Sequence, residues 1–168
     1  MATKIKTPTR VTYQSDNITP ISRLDIPGGG QVTIDGNYAY IGYMYGPEGT
    51  SILDIANPQN PKVIWTVSLE NPETHSHKVR VQGDIMVTNS EQRPRPGVKM
   101  SQKFAEPGVK LWNIKDKRNP KLINFHRTGG RGVHRFDMDE KYLYLSTEME
   151  EFLGHILVIY DWTNPEQL

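Results

Sequence analysis

Apolar and polar positions alternate in short runs along the chain, and most runs end in Gly, Pro, Asn or Asp. Alternation of period two over a few residues is the pattern of a half-buried strand. Val32 to Ile34 and Tyr38 to Tyr43 flank Asp35-Gly36-Asn37, which predicts a hairpin, because Gly accepts a positive φ at no steric cost. Val79 to Val81 and Ile85 to Thr88 flank Gln82-Gly83-Asp84 in the same way, and Val133 to Met138 and Tyr142 to Ser146 flank Asp139-Glu140-Lys141. No stretch keeps a helical period; Glu148 to Phe152 predicts at most one turn of helix.

The runs form a larger repeat. TSILDIANPQNP (50–61), VKLWNIKDKRNP (109–120) and HILVIYDWTNPEQ (155–167) each carry an apolar run up to Asp54, Asn113 or Asp161, one more apolar residue, then a polar turn rich in Asn and Pro. The first spacing is 59 residues and the second 48, and the Pro- and charge-rich stretch between Ser90 and Gly108 accounts for the difference. PKVIWTVSL (61–69) and PKLINFH (120–126) follow the first two turns, and ITPISRLDIP (18–27) resembles them, which predicts a strand there too.

Each unit therefore predicts an inner strand, a hairpin, a second strand, a loop, a third strand and an outer strand, a four-stranded antiparallel meander. The fold class is all-β, with about three such meanders over residues 18–168 and an N-terminal arm over 1–17. A sandwich is the competing arrangement; repetition of a whole four-stranded unit favours the blades of a β-propeller. Propellers usually have four to eight blades, so the expectation is an incomplete ring. On this reading the chain is the leading part of a longer protein, or copies self-associate, with Ile18 to Pro27 completing the third unit of a neighbour.

Composition narrows the function classes. Twenty basic and 19 acidic residues leave a net charge of +1, which predicts neither a nucleic-acid nor a membrane-surface partner. The absence of cysteine excludes disulfides, thiolate metal sites and a Cys nucleophile. No stretch has the length of a signal peptide core or a membrane span, which favours a cytoplasmic location. The sequence carries no nucleophile elbow, phosphate-binding loop or His-Glu-x-x-His helix.

Most recurring residues have structural explanations. Asp54, Asn113 and Asp161 suit side-chain hydrogen bonds that fasten a strand end to the following turn. Tyr38, Tyr40, Tyr142, Tyr144, Trp65, Trp112 and Trp162 are expected in the core between sheets. The histidines point elsewhere. Aligned on their hairpins, His77 in THSHKVRV and His134 in GRGVHRFDM both precede the inner strand, each six residues before its turn at Gly83 or Glu140, and the first unit has Gly30 there. Glu91 and Glu148 fall at matching places beyond the second strand, and His75 is a further candidate, whereas His126 and His155 are expected at the periphery. Neutral imidazole with carboxylate suits a divalent transition metal. Polar groups lining a wet channel are the alternative.

The units, with YAYIGY…TSILDIANPQNPKVI as the clearest copy and HILVIYDWTNPEQ closest to the name-giving core, resemble the LVIVD repeat family over about Gln31 to Leu168. The resemblance implies a β-propeller and leaves the reaction open. The placement of the paired histidines is also similar to metal-bearing propellers such as the selenium-binding, methanethiol-oxidase-like proteins. Two expectations result: a metal-dependent propeller enzyme with its site on the axis, and a non-catalytic propeller scaffold that binds a ligand or protein through its loops.

Overall fold

In the computed structural model, which describes residues 17–27 and 29–168, twelve strands form three antiparallel sheets. The first sheet is the expected meander, β1 (Gly29–Asp35), β2 (Tyr38–Tyr43), β3 (Glu48–Asp54) and β4 (Lys62–Ser68), in sequential order. Its hairpin closes at Asp35 opposite Tyr38, with Gly36 at a φ of 53°. The second sheet has five strands: β5 (Thr74–His75) and β6 (Val79–Gln82) both pair with β7 (Ile85–Gln92), which continues to β8 (Gly108–Asn113) and β9 (Lys121–Arg127). The third comprises β10 (Val133–Met138), β11 (Tyr142–Glu148) and β12 (His155–Asp161).

The repeat seen in the sequence is kept in the register. Tyr38 lies opposite Asp54, Ile85 opposite Asn113, and Tyr142 opposite Asp161, so the second and third strands of the units superimpose residue by residue. The Asp and Asn residues fasten their turns as expected: Asp54, Asn113 and Asp161 each accept, through Oδ1, the backbone N–H two residues on, at 3.0, 2.9 and 2.9 Å. Asn57, Asp116 and Asn164 repeat the device one turn later. A short side chain that captures a backbone amide in this way stops the strand without leaving a donor unpaired.

Alternation gives each sheet two apolar faces, and the sheets pack face against face. Tyr40, Ile52 and Trp65 of the first sheet meet Met86, Trp112 and Ile114 of the second, where Trp65 and Trp112 stand edge to face at 5.5 Å. The opposite face of the second sheet, with Val87, Val109 and Leu111, meets Phe136, Leu143 and Leu145 of the third. Backbone hydrogen bonds tie successive sheets together: Tyr43 N–H donates to Ser76 O at 3.0 Å and Gln92 N–H to Arg131 O at 2.7 Å.

Three expectations are corrected. Residues 18–27 are not a strand; they run across the outer face of the first sheet, where Leu24 and Ile26 pack against a cluster of Ala39, Ile41, Tyr43 and Leu53. A strand exists only with a partner, and among the described residues no strand pairs with this segment. The second sheet has one strand more than the meander and the third one fewer among the described residues. Tyr142 and Tyr144 are not core; they lie half-exposed on the outer face of the third sheet, with the Tyr144 hydroxyl donating to Asp139 Oδ2 at 2.7 Å. The arm over 1–16 and Gly28 lie outside the described residues. Among the described residues no helix is long and apolar enough to cross a membrane.

Candidate metal centre

The segment Thr74-His75-Ser76-His77 is extended, so side chains two apart share a side. His75 and His77 face one way, their rings stacked at 4.2 Å and 20°. Ser76 serves the other side: its carbonyl takes the Tyr43 amide, and its hydroxyl lies 3.3 Å from Thr50 Oγ1. The backbone here approaches the first sheet so closely that a Cβ at Gly42 would lie 2.5 Å from the His77 carbonyl carbon. Glycine at that position is what admits the histidine segment.

The cluster has Glu91 at its centre. β5 pairs with the end of β7 so that His75 is opposite Glu91, and His75 Nε2 lies 2.7 Å from Glu91 Oε2. His77 Nδ1 lies 3.9 Å from the same oxygen. His134, arriving from β10 of the next sheet, places Nδ1 2.9 Å from Oε1 and 3.1 Å from Oε2. His75 and His77 are buried, Glu91 is nearly so, and the His134 side chain is 40% exposed, so the cluster meets solvent on the His134 side. One donor atom from each of His75, His77 and Glu91 lies within 4.8 Å of the other two.

Hydrogen bonds determine what each ring offers. Asn89, fully buried on β7, accepts the Lys78 amide at 2.8 Å through Oδ1 and donates through Nδ2 to Val133 O at 2.9 Å and to His77 Nδ1 at 3.3 Å. His77 Nδ1 therefore accepts from Asn89, and in the neutral ring the proton sits on Nε2; a metal at Nδ1 would take the place of that 3.3 Å contact. Burial, reinforced by the neighbouring His75, pushes the His77 pKa down to about 3, against the opposing pull of Glu91. The ring is thus neutral, as a metal ligand must be. His75 stands between two acceptors, Glu91 Oε2 on Nε2 and Met44 O 3.3 Å from Nδ1. The short contact is that of Nε2–H donating to Glu91; a metal taking that proton's place would leave Nδ1–H directed at the Met44 carbonyl, the arrangement by which an outer partner fixes a ligating histidine's tautomer. Burial alone would raise the Glu91 carboxyl, but hydrogen bonds from His75 and His134 outweigh it and hold the group below the usual carboxylate range. Two imidazoles and an anionic carboxylate, buried and converging, form a donor set that suits a divalent transition metal.

Of the five residues singled out from the sequence, His75, His77, His134 and Glu91 come together, and Glu148 stands apart. Its Oε2 accepts the Arg131 amide at 2.9 Å and fills the space beside Gly130 where a Cβ would sit. His155 is exposed on β12, with its ring edge-on to His134 at 5.8 Å, and His126 packs edge-on to Tyr160 at 4.4 Å. Sequence reasoning missed Asn89. Its signal was an Asn in the middle of a β-branched strand, VTNS, where a residue of poor strand propensity needs a reason.

The insertion at 93–107 folds over the same end of the second sheet and, with residues 128–131, Glu148 and Glu150, lines a half-open pocket of about 660 Å³. Gln92, next to Glu91, lines it and donates through Nε2 to Ser101 O at 2.9 Å.

No protein-family model matches the chain, and no curated protein matches it. Fold and site therefore define its class by themselves: an all-β protein of repeated antiparallel sheets with a buried histidine and glutamate cluster able to coordinate a metal.

Proposed function

We propose that the three sheets are blades of an LVIVD-type β-propeller and that the cluster at their inner ends binds a divalent transition metal through His75, His77 and Glu91, with His134 at the solvent side. The observation that carries this reading is one buried carboxylate approached by three imidazoles from two sheets. Burying polar groups at this density is costly unless each is partnered, and a cation between them removes the cost. A bound metal would supply Lewis acidity; the chain's own part is to hold His77 neutral through burial and to keep Glu91 ionised.

Support for the blade reading comes from the common register of the three units and from the backbone hydrogen bonds between successive sheets. The test is metal content of the purified protein by mass spectrometry, beside His75→Ala, His77→Ala and Glu91→Gln. Stoichiometric metal in the parent, lost in each variant, supports the site; a metal-free parent that also fails to take up Zn²⁺, Cu²⁺, Ni²⁺ or Fe²⁺ in titration refutes it.

The pocket beneath the 93–107 insertion favours a second reading, a scaffold that binds a small ligand through its loops. Ligand binding that survives Glu91→Gln with unchanged affinity would select that reading.

A further inference from the structure

The common register allows each sheet to predict the surroundings of the next. Ile52, Leu111 and Ile159 occupy one position, opposite Tyr40, Val87 and Tyr144. Thr50, Val109 and Leu157 occupy another, opposite Gly42, Asn89 and Ser146. In the first two sheets these positions are fully buried, because the following sheet covers them; in the third, Leu157 is 69% and Ile159 54% exposed. The first sheet shows the complementary deficit. Val32 corresponds to Val79 and Phe136, both buried beneath the preceding sheet, yet Val32 is 56% exposed.

Residues 20–27 show what belongs there. Aligned on Pro20, Pro61 and Pro120, Leu24 corresponds to Trp65 and Ile26 to Val67. Trp65 and Val67 lie on β4, the outer strand of the first sheet, and pack against the second sheet. Leu24 and Ile26 pack against the first sheet in the same way. The segment thus sits where the outer strand of a preceding sheet would lie, and among the described residues no further strand of such a sheet accompanies it. Within one chain it cannot reach β12, because the second sheet stands between the first and the third.

We propose that the outer face and free edge of β12 dock onto the first sheet of a second copy of this chain, with residues 20–27 of that copy added beside β12 as a fourth strand. Trp65 pairs with Ile52 and Val67 with Thr50, so the same register sets Leu24 of the second copy opposite Ile159, and Ile26 opposite Leu157. Four exposed or half-exposed apolar side chains become two cross-strand pairs, and a free strand edge gains its ladder. The contact is head to tail, since it joins two different faces. It is independent of any metal.

The chain has no cysteine, which makes a clean test. Residues directly opposite in antiparallel strands lie within about 4.5–5.5 Å between Cα atoms, a span a disulfide bridges. Mixed and oxidised, Leu24→Cys and Ile159→Cys chains should give a disulfide-linked pair, whereas Leu24→Cys with the exposed control Leu122→Cys should not. In sedimentation equilibrium the parent should associate, Leu157→Asp/Ile159→Asp and Val32→Asp/Ile34→Asp should each be monomeric, and their mixture should recover a pair through the one intact contact. These side chains are exposed, and circular dichroism equal to the parent's confirms the fold. A parent that stays monomeric at every concentration, variants that associate like the parent, or a cross-link no more abundant than the control overturns the proposal.

Discussion

Glu91 and Glu148 occupy the same position in successive sheets, three residues beyond Thr88 and Leu145, yet only Glu91 is met by imidazoles. The residue that faces Glu91 is His75, and the one that takes the same place before Glu148 is Gly132, whose carbonyl accepts the Glu148 amide at 3.3 Å. With nothing from a side chain to meet, the Glu148 carboxylate turns to the Arg131 amide. One substitution between repeats separates a candidate metal ligand from a loop anchor.

That difference predicts opposite phenotypes. Glu91→Gln should abolish metal retention, whereas Glu148→Gln should leave metal content unchanged and cost about 1 kcal/mol through the weakened bond to the Arg131 amide. Metal analysis and urea denaturation of the two variants in parallel check this; equal metal loss in both would place Glu148 in the site after all.

Asn89→Ala should tighten metal binding, because it removes the N–H that occupies the His77 Nδ1 lone pair a metal would take. It should also cost about 1–3 kcal/mol in stability, since the Lys78 amide and Val133 carbonyl lose their partner. Competition with a chromophoric chelator reads the first effect; an unchanged affinity would reduce Asn89 to a structural role.

Acid should destabilise the metal-free protein. His77 titrates near 3 when folded against an ordinary 6.5, and Glu91 also lies below its ordinary value, so the unfolded chain binds more protons than the folded one. The stability from both groups is complete above about pH 6.5, the ordinary imidazole value, and is lost progressively as pH falls toward 3. The urea midpoint should therefore drop between pH 7 and pH 4, and His77→Leu should flatten that dependence. A midpoint independent of pH over this range contradicts the burial of a neutral His77.

The Tyr40 hydroxyl is buried between the first and second sheets without a hydrogen-bond partner, and burial raises its pKa. Tyr40→Phe should be neutral or stabilising by up to about 1 kcal/mol, because an unsatisfied buried hydroxyl is removed while the ring packing stays. Thermal denaturation decides it; a loss beyond about 1 kcal/mol would reveal a hidden partner, such as a bound water.

By itself the sequence determined the local architecture. Period-two alternation, Asp35-Gly36-Asn37 and the recurring Asp or Asn before each turn were legible because strand faces, hairpins and side-chain turns depend on residues only a few positions apart. The equivalence of His77 with His134, and of Glu91 with Glu148, was legible for the same reason: it follows from counting within a repeat. Tertiary structure decided what those equivalent residues meet. The partners of Glu91 come from β5, from the link to β6 and from the next sheet, and no local pattern records which of them is a histidine and which a glycine. Residues 18–27 make the same point from the other side. Their alternation is that of a strand, but a strand is completed by a neighbour's hydrogen bonds, and among the described residues the segment finds an apolar face to lie on and no strand to pair with.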